Sequence, residues 1–323
     1  MKLKSGLKKI ISFVLLLSVL SVCAANVKVS KSQEFYFMVE YQEVSAPGDI
    51  VYLTVTIGKL SDGTLKLPVS PHIKLIRNST GKTPGETDLF LVNPDSGIFF
   101  GAIPLSTWLT EGEFTLIYTY KDTVGTAYEE NYPITVNSKE FINEDIPLNA
   151  TNTAIRTDTS EKKVAQIDKL NEVLFTVNSE AQYYDGCFIQ PVDTTRRTSF
   201  FGDRRTYVYN TGTRSVSEHY GIDFGVPTGT PVKACGSGKV VLAEDRVSTG
   251  WSIVIEHLPG LYSLYYHMDS LIAKEGDIVK QGDIIGKSGA TGLATGPHLH
   301  WEIRLNGTAV NPDFFKEIQL FRP

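Results

Sequence analysis

Five polar side chains between His219 and His300 have the types and spacing of a single hydrolytic metal centre. They fall in three pieces: His219-Tyr220-Gly221-Ile222-Asp223, Leu264-Tyr265-Tyr266-His267, and His298-Leu299-His300. Around the last piece, Leu299, Trp301, Ile303 and Leu305 alternate with His300, Glu302 and Arg304, which is a strand pattern. His298 and His300 then share one face of it. The first piece cannot be straight if both ends meet one ion. Four extended residues span roughly 13 Å, whereas Zn–ligand bonds are about 2.0–2.2 Å. The chain must turn, and Gly221 is the residue that would take a positive φ there. Asp223 then faces the site from a strand begun by Ile222, Phe224 and Val226, and His267 ends an aromatic strand. His72, after Ser70-Pro71, and His257, before Leu258-Pro259-Gly260, read as surface or packing histidines.

These pieces resemble the lysostaphin-type (LytM-type) zinc endopeptidases. The resemblance runs from about Cys187 to Phe315. It includes Ser199-Phe200-Phe201-Gly202-Asp203-Arg204, Gly-Asp repeats at Gly276-Asp277 and Gly282-Asp283, Gly296-Pro297-His298-Leu299-His300, and Val310-Asn311-Pro312. It implies that His219, Asp223 and His300 hold one Zn²⁺ per chain, and that His267 and His298 act on water and the transition state. It implies a substrate as well: the peptides of peptidoglycan, cut in a stem or a cross-bridge. The fold implied is an antiparallel β domain of lysostaphin type, a duplicated hybrid motif. Two imidazoles and one carboxylate leave the fourth tetrahedral position open, as catalytic rather than structural zinc sites do. The rivals are a zinc peptidase acting on proteins and a non-catalytic envelope protein that binds wall or activates an amidase. The complete ligand set argues against the last. Biotinyl, lipoyl and sugar-phosphotransferase domains share the Gly-Asp repeat but do not need the histidines.

The elements that position these residues can be read outward from them. Residues 187–323 are glycine-rich with little helical periodicity, so a mostly β catalytic domain is expected. Thr206 to Glu218 reads as a cleft-side loop, with Arg204, Tyr207 and Tyr209 as candidate substrate contacts. Thr291 to Gly296 reads as a flexible run before His298. Cys187 and Cys235 can pair in an oxidising compartment or stay two buried thiols. Residues 138–186 read as a connector: a polar linker over 143–159, then one helix over about 160–177 with Val164, Ile167, Leu170, Val173 and Leu174 on a stripe. That stripe must be covered by either domain, or the helix lies across the cleft as an inhibitory lid. In the lid case, a chain starting near Asp185 would be the more active.

Residues 26–137 alternate in about seven strands with recurrent turn clusters, the pattern of an immunoglobulin-like β-sandwich without the antibody cysteine pair. It holds no motif that carries chemistry. Its tyrosines (Tyr36, Tyr41, Tyr118, Tyr120, Tyr128 and Tyr132) read as core and surface rather than a glycan-binding face. Residues 1–25, with Lys2, Lys4, Lys8 and Lys9 before an apolar stretch and small residues after it, have the layout of an export signal. Cleavage after Ala24 or Ala25 is one outcome. The other is lipidation at Cys23, since Leu20-Ser21-Val22-Cys23 resembles a lipoprotein box, although Val22 departs from it. Either way the protein is exported to the periplasm or cell envelope, and a membrane is a partner only if Cys23 is lipidated. Removing four of 31 basic residues leaves 27 against 36 acidic, a net charge of −9. Such a chain has no electrostatic footprint for nucleic acid. Oligomeric state is left open.

Overall fold

The structure, a computed structural model, describes residues 26–31, 36–58 and 65–321. The export signal and Cys23 lie outside these residues. No helix among the described residues is long and apolar enough to cross a membrane.

The first part of the chain forms two five-stranded sheets packed face to face. One runs Asn26–Lys31, Tyr36–Tyr41, Ile50–Gly58, Ile98–Pro104, Phe90–Asn93; the other runs Val44–Ser45, Ala127–Val136, Gly112–Lys121, Val69–Arg77, Gly85–Asp88. Strict alternation in Gly112–Lys121 puts Phe114, Leu116, Tyr118 and Tyr120 inward. They meet Phe37, Val39, Val51, Leu53 and Val55 of the facing sheet in one core. Tyr41, Tyr118, Tyr120 and Tyr132 are buried, so these tyrosines are packing residues, and His72 sits on the outer surface beside Asp88.

The last part is built on a ten-stranded antiparallel sheet. Its main path is Arg197–Ser199, Gly221–Phe224, Leu299–Leu305, Leu261–Leu271, Gly250–Leu258, Gly238–Arg246 and Ile278–Val279. The two central strands are apolar on both faces because both are covered. One face joins Trp301, Ile303, Phe224 and Ile255. The other carries Val254, Tyr262, Leu264 and Tyr266 against Leu170, Val173 and Leu174 of the helix Glu161–Phe175. Tyr266 is directly opposite His300, so that helix packs on the same face of the sheet as the metal-site residues, beside the cleft, and none of its residues lines the cleft. The two Gly-Asp repeats make matching turns, in which Lys274 N donates to Asp277 and Lys280 N to Asp283, each at 2.8 Å.

The connector differs from the expected linker and single helix. Asn143–Pro147 is a strand lying parallel to Arg204–Val208, which pairs in turn with Arg214–Glu218. Residues 206–218 are thus largely a hairpin and not a loop. A first helix, Ala150–Thr157, precedes the second, with the Asn149 side chain accepting from Asn152 N. Its polar sequence hid it from an apolar-stripe reading.

The two parts share one core. Ile50, Tyr52, Ile98 and Phe100 of the sandwich belong to the same cluster as Phe314, Phe315 and Phe321 of the C-terminal segment. Buried Thr54 Oγ1 donates to Leu320 O at 2.7 Å, Asn311 Nδ2 to Asp49 at 3.0 Å, and Arg204 Nη2 to Thr107 O at 2.8 Å.

Cys187 and Cys235 form no disulfide. Cys235 is fully buried, and burial pushes its thiol up to about 11. His257 is a packing residue. It is wholly buried against Phe188, and its ring nitrogens are taken by Ser237 O and Ser263 Oγ. Burial pushes its pKa down to about 4, so the unfolded chain binds the proton more readily between about pH 4 and pH 6.5. Stability is complete above pH 6.5 and falls as pH approaches 4, by about 3 kcal/mol for this one group. Denaturant unfolding of His257→Gln at pH 7 and pH 4 should show an acid loss smaller by that amount; an unchanged loss refutes the assignment.

Candidate metal centre

Asp223 and His300 are directly opposed on neighbouring antiparallel strands. His219 lies in the two-residue step between Arg214–Glu218 and Gly221–Phe224, held by His219 N donating to Asp203 O and Gly202 N donating to His219 O, both at 2.8 Å. This step between two sheets makes the turn that the spacing demanded. Gly221 does not: its φ lies outside the left-handed region, contrary to expectation. Glycine is required there for space, since a Cβ would stand 2.3 Å from Trp301 O and 2.8 Å from His300 Nε2.

Three atoms converge. His219 Nε2 is 3.0 Å from Asp223 Oδ1 and 2.9 Å from His300 Nδ1, and His300 Nδ1 is 2.7 Å from Asp223 Oδ1. All three residues are buried. The far nitrogen of each imidazole is committed: His219 Nδ1 donates to Phe200 O at 2.8 Å, and His300 Nε2 to Glu302 Oε1 at 2.9 Å. A carbonyl or carboxylate only accepts, so those nitrogens carry the protons. In the neutral rings Nε2 of His219 and Nδ1 of His300 are then lone pairs facing each other and a carboxylate oxygen. Such a point calls for positive charge. A proton can supply it: burial pulls the His300 pKa down, but Asp223 and Glu302 outweigh burial and lift it to about 9. Burial opposes ionisation of Asp223 too, yet the two imidazoles hold its carboxyl well below the usual range. A divalent cation satisfies all three atoms at once and displaces the proton. The donor set therefore fits a metal with two nitrogens, one oxygen and an open position.

The outer contacts are complete as well. Asp223 Oδ2 accepts from Arg205 Nη2 at 2.8 Å. Arg205 Nε donates to Glu144 at 2.9 Å, and Ser199 Oγ also donates to Glu144 at 2.9 Å. Glu302 is held by Arg304 at 2.7 Å, and the Tyr266 ring lies flat over His300, 5.5 Å between centroids. Such partners fix ring orientation and raise ligand basicity. Glu302 was visible in the sequence as the same-face neighbour of His300. Arg205 and Glu144 gave no such sign.

His267 and His298 stand beside the convergence point, with ring centroids 4.7 Å apart. His267 lies within the strand Leu261–Leu271 and not at its end. It sits where the register slips between Met268↔Trp251 and Tyr265↔Ile253, so two residues oppose one in a bulge. Its φ of 60° is uncommon for a residue other than glycine and turns the ring toward the convergence point. His267 Nδ1 donates to Thr291 O and His298 Nδ1 to Gly296 O, both at 2.8 Å. In both rings Nδ1 is therefore taken, and His298 Nε2 is 3.8 Å from Asp223 Oδ1. Burial, with His298 and His300 adding to it, pushes the His267 pKa down to about 3. His267 is thus neutral, with the lone pair at Nε2.

The centre opens into a two-lobed cleft, with cavities of about 250 and 470 Å³ that meet at Ile146, Arg205, Asp223, Thr295 and His298. The connector strand supplies Glu144 and Ile146 to this wall. The first connector helix reaches across the rim, with Asn152 Nδ2 donating to Ala294 O and Asn210 N to Thr153 Oγ1. Of the three candidate substrate contacts, only Tyr207 lines the cleft, beneath Arg156 at 3.7 Å. Arg204 is turned to the sandwich. It bonds Glu218 and Thr107 O and stacks on Trp108 at 3.7 Å. Tyr209 pairs with Ser215 in the hairpin.

Comparison with known proteins gives this geometry a family. Residues 217–312 match the model of Peptidase family M23. The peptidoglycan DD-endopeptidase ShyA of Vibrio cholerae is 38% identical over 149 residues, 43% of this chain and 34% of that protein. The DD-carboxypeptidase/endopeptidase Mpg of Neisseria meningitidis is 39% identical over 127 residues, 39% of this chain and 28% of that protein. The chain thus spans about a third of the length of these relatives. A crystal structure described as an M23 peptidase from Pseudomonas aeruginosa shares the fold at a TM-score of 0.54 and 23% identity, covering 84% of this chain and 94% of that one. The buried His-Asp-His cluster lies inside the residues that match peptidase family M23, so this stretch of the chain, 217–312, is similar to the metallopeptidases of that family.

Proposed function

We propose that this protein is an exported zinc endopeptidase that hydrolyses peptide bonds in the stem or cross-bridge of peptidoglycan. The observation that carries the reading is the convergence of His219 Nε2, Asp223 Oδ1 and His300 Nδ1 at the floor of a cleft that also holds His267 and His298. Two nitrogens and one oxygen suit one zinc per chain. The wall peptides as substrate follow from the relatives, ShyA being a peptidoglycan DD-endopeptidase. Export is supported by the layout of residues 1–25.

When bound, the metal supplies Lewis-acid polarisation of the scissile carbonyl and acidifies water. The residues of the chain do the rest. His267, neutral and with Nδ1–H pinned to Thr291 O, accepts the proton of the attacking water at Nε2 and returns it to the leaving amine. His298 can donate from Nε2 only as the imidazolium, because its Nδ1–H already faces Gly296 O. In that form it stabilises the developing oxyanion. Arg205 keeps Asp223 ionised and turned toward the centre.

The test is metal content and release of free amines from purified peptidoglycan, measured on residues 26–323 and on His219→Ala. One zinc per chain with amine release, both lost in the variant, is expected. Amine release that survives metal removal, or a metal-loaded protein that releases none from any wall peptide, overturns the reading.

A further inference from the structure

We infer that Arg196 forms a carboxylate-recognition subsite in the larger lobe of the cleft, so that the preferred substrate carries a free carboxylate about two residues from the bond that is cut. The inference rests on the peptidase reading above and narrows its substrate. The larger lobe, about 470 Å³, is lined by Arg196, Val226, Pro227 and Pro297 and runs up to Asp223 and His298. Its other charges are spent on one another: Arg205 bonds Asp223 and Glu144, and Glu144 also takes Ser199 Oγ. The adjacent Arg197 is committed to Asp313. Arg196 is exposed, and among the described residues no carboxylate pairs with it. In the smaller lobe Arg156, by contrast, is laid on the Tyr207 ring at 3.7 Å and reaches Ser215.

The backbone beside Arg196 is shaped to it. Gly225 N donates to Arg196 O at 3.1 Å, and a Cβ on Gly225 would lie 3.1 Å from both Cζ and Nε of the guanidinium and 2.8 Å from the Thr198 methyl. Gly225 has no positive φ to explain it. The missing side chain leaves room for the guanidinium beside Gly225, in a lobe where the other charged side chains are already paired and Val226, Pro227 and Pro297 supply apolar wall. A planar fork of donors with no acid of its own fits a carboxylate bidentately. Gly225 is two residues along the strand from Asp223, about 7 Å at strand rise. An extended peptide covers that span in two residues. The carboxylate can be the α-carboxylate of a short peptide or one borne on a side branch of a stem residue.

A soluble cross-linked stem peptide, prepared with all carboxylates free, with the C-terminus amidated, and with the side-branch carboxylate amidated, separates these sources. For the intact chain, amidating the recognised group should lower kcat/KM roughly ten- to a hundredfold, mostly through KM. Arg196→Gln should cleave all three forms at the lower rate, and Arg196→Lys should recover part of the preference. Binding of the same peptides to chelator-treated protein, read by fluorescence polarisation, should show the same carboxylate and Arg196 dependence. Hydrolysis indifferent to amidation, or a preference that survives Arg196→Gln, overturns the subsite. Carboxylate-dependent binding that needs Arg196, without cleavage of any form, would support the subsite and count against the hydrolytic reading alone.

Discussion

Gly221→Ala is expected to disable the metal centre without altering a ligand atom. The new Cβ would stand 2.3 Å from the Trp301 carbonyl oxygen and 2.8 Å from His300 Nε2. The first is backbone and cannot swing away. The second is the nitrogen through which Glu302 orients the ring. Relief requires the strand Gly221–Phe224 to move off Leu299–Leu305, and that pairing is what sets Asp223 opposite His300. A displacement of about 1 Å at a reacting centre costs on the order of 10²-fold in rate, and loss of ring orientation costs roughly 10–100-fold in metal affinity. Metal titration and amine release should therefore both fall by at least about that much, with far-UV circular dichroism little changed. Metal affinity equal to that of the unaltered chain would show that the strand pair yields more easily than the distances imply.

His267→Ala should give the opposite pattern: full metal content and a kcat lowered roughly 10²- to 10⁴-fold, the usual worth of a positioned acid–base group. His267 is not among the three converging atoms, so its removal leaves them intact. What it removes is a nitrogen beside those three, one that burial and the neighbouring imidazoles keep unprotonated, with a pKa pushed down to about 3. The bulge that turns His267 inward is backbone geometry, anchored by His267 N donating to Thr249 O at 2.8 Å, and it persists in the variant. A KM that changes while kcat does not would move His267 from proton transfer to substrate binding.

That these five candidate residues would meet was legible because each piece carried its own local geometry: alternation around His300, a short spacing that forced a turn before Asp223, an aromatic strand leading to His267. What the pieces meet was not legible. Arg205 reaches Asp223 only because a three-stranded sheet folds over the first metal piece, and that sheet depends on Asn143–Pro147 pairing with residues some sixty positions away. Its sequence, Asn-Glu-Asp-Ile-Pro, shows no apolar alternation, since one of its faces meets polar cleft groups. The short helix Ala150–Thr157 was announced only by its cap, Asn149. Gly221 was singled out for the wrong reason, because its φ and its crowding look alike in a sequence. The seven expected strands of the first part have counterparts near their expected places, since hydrophobic alternation there depends on local order alone.

The C-terminal segment has a consequence for how the protein comes apart. Leu320 and Phe321 are inserted among Tyr52, Phe100 and Tyr184, and Thr54 holds the Leu320 carbonyl from the outer face of the sandwich. Chain ends normally fray first, and neighbouring domains normally rock on a polar seam. Here the seam has an apolar core to which Leu320 and Phe321 belong, so loosening one half should uncover side chains of the other. Melting should be concerted across both halves. A force applied to the sandwich should then pass through these packed side chains to the sheet that carries the histidines.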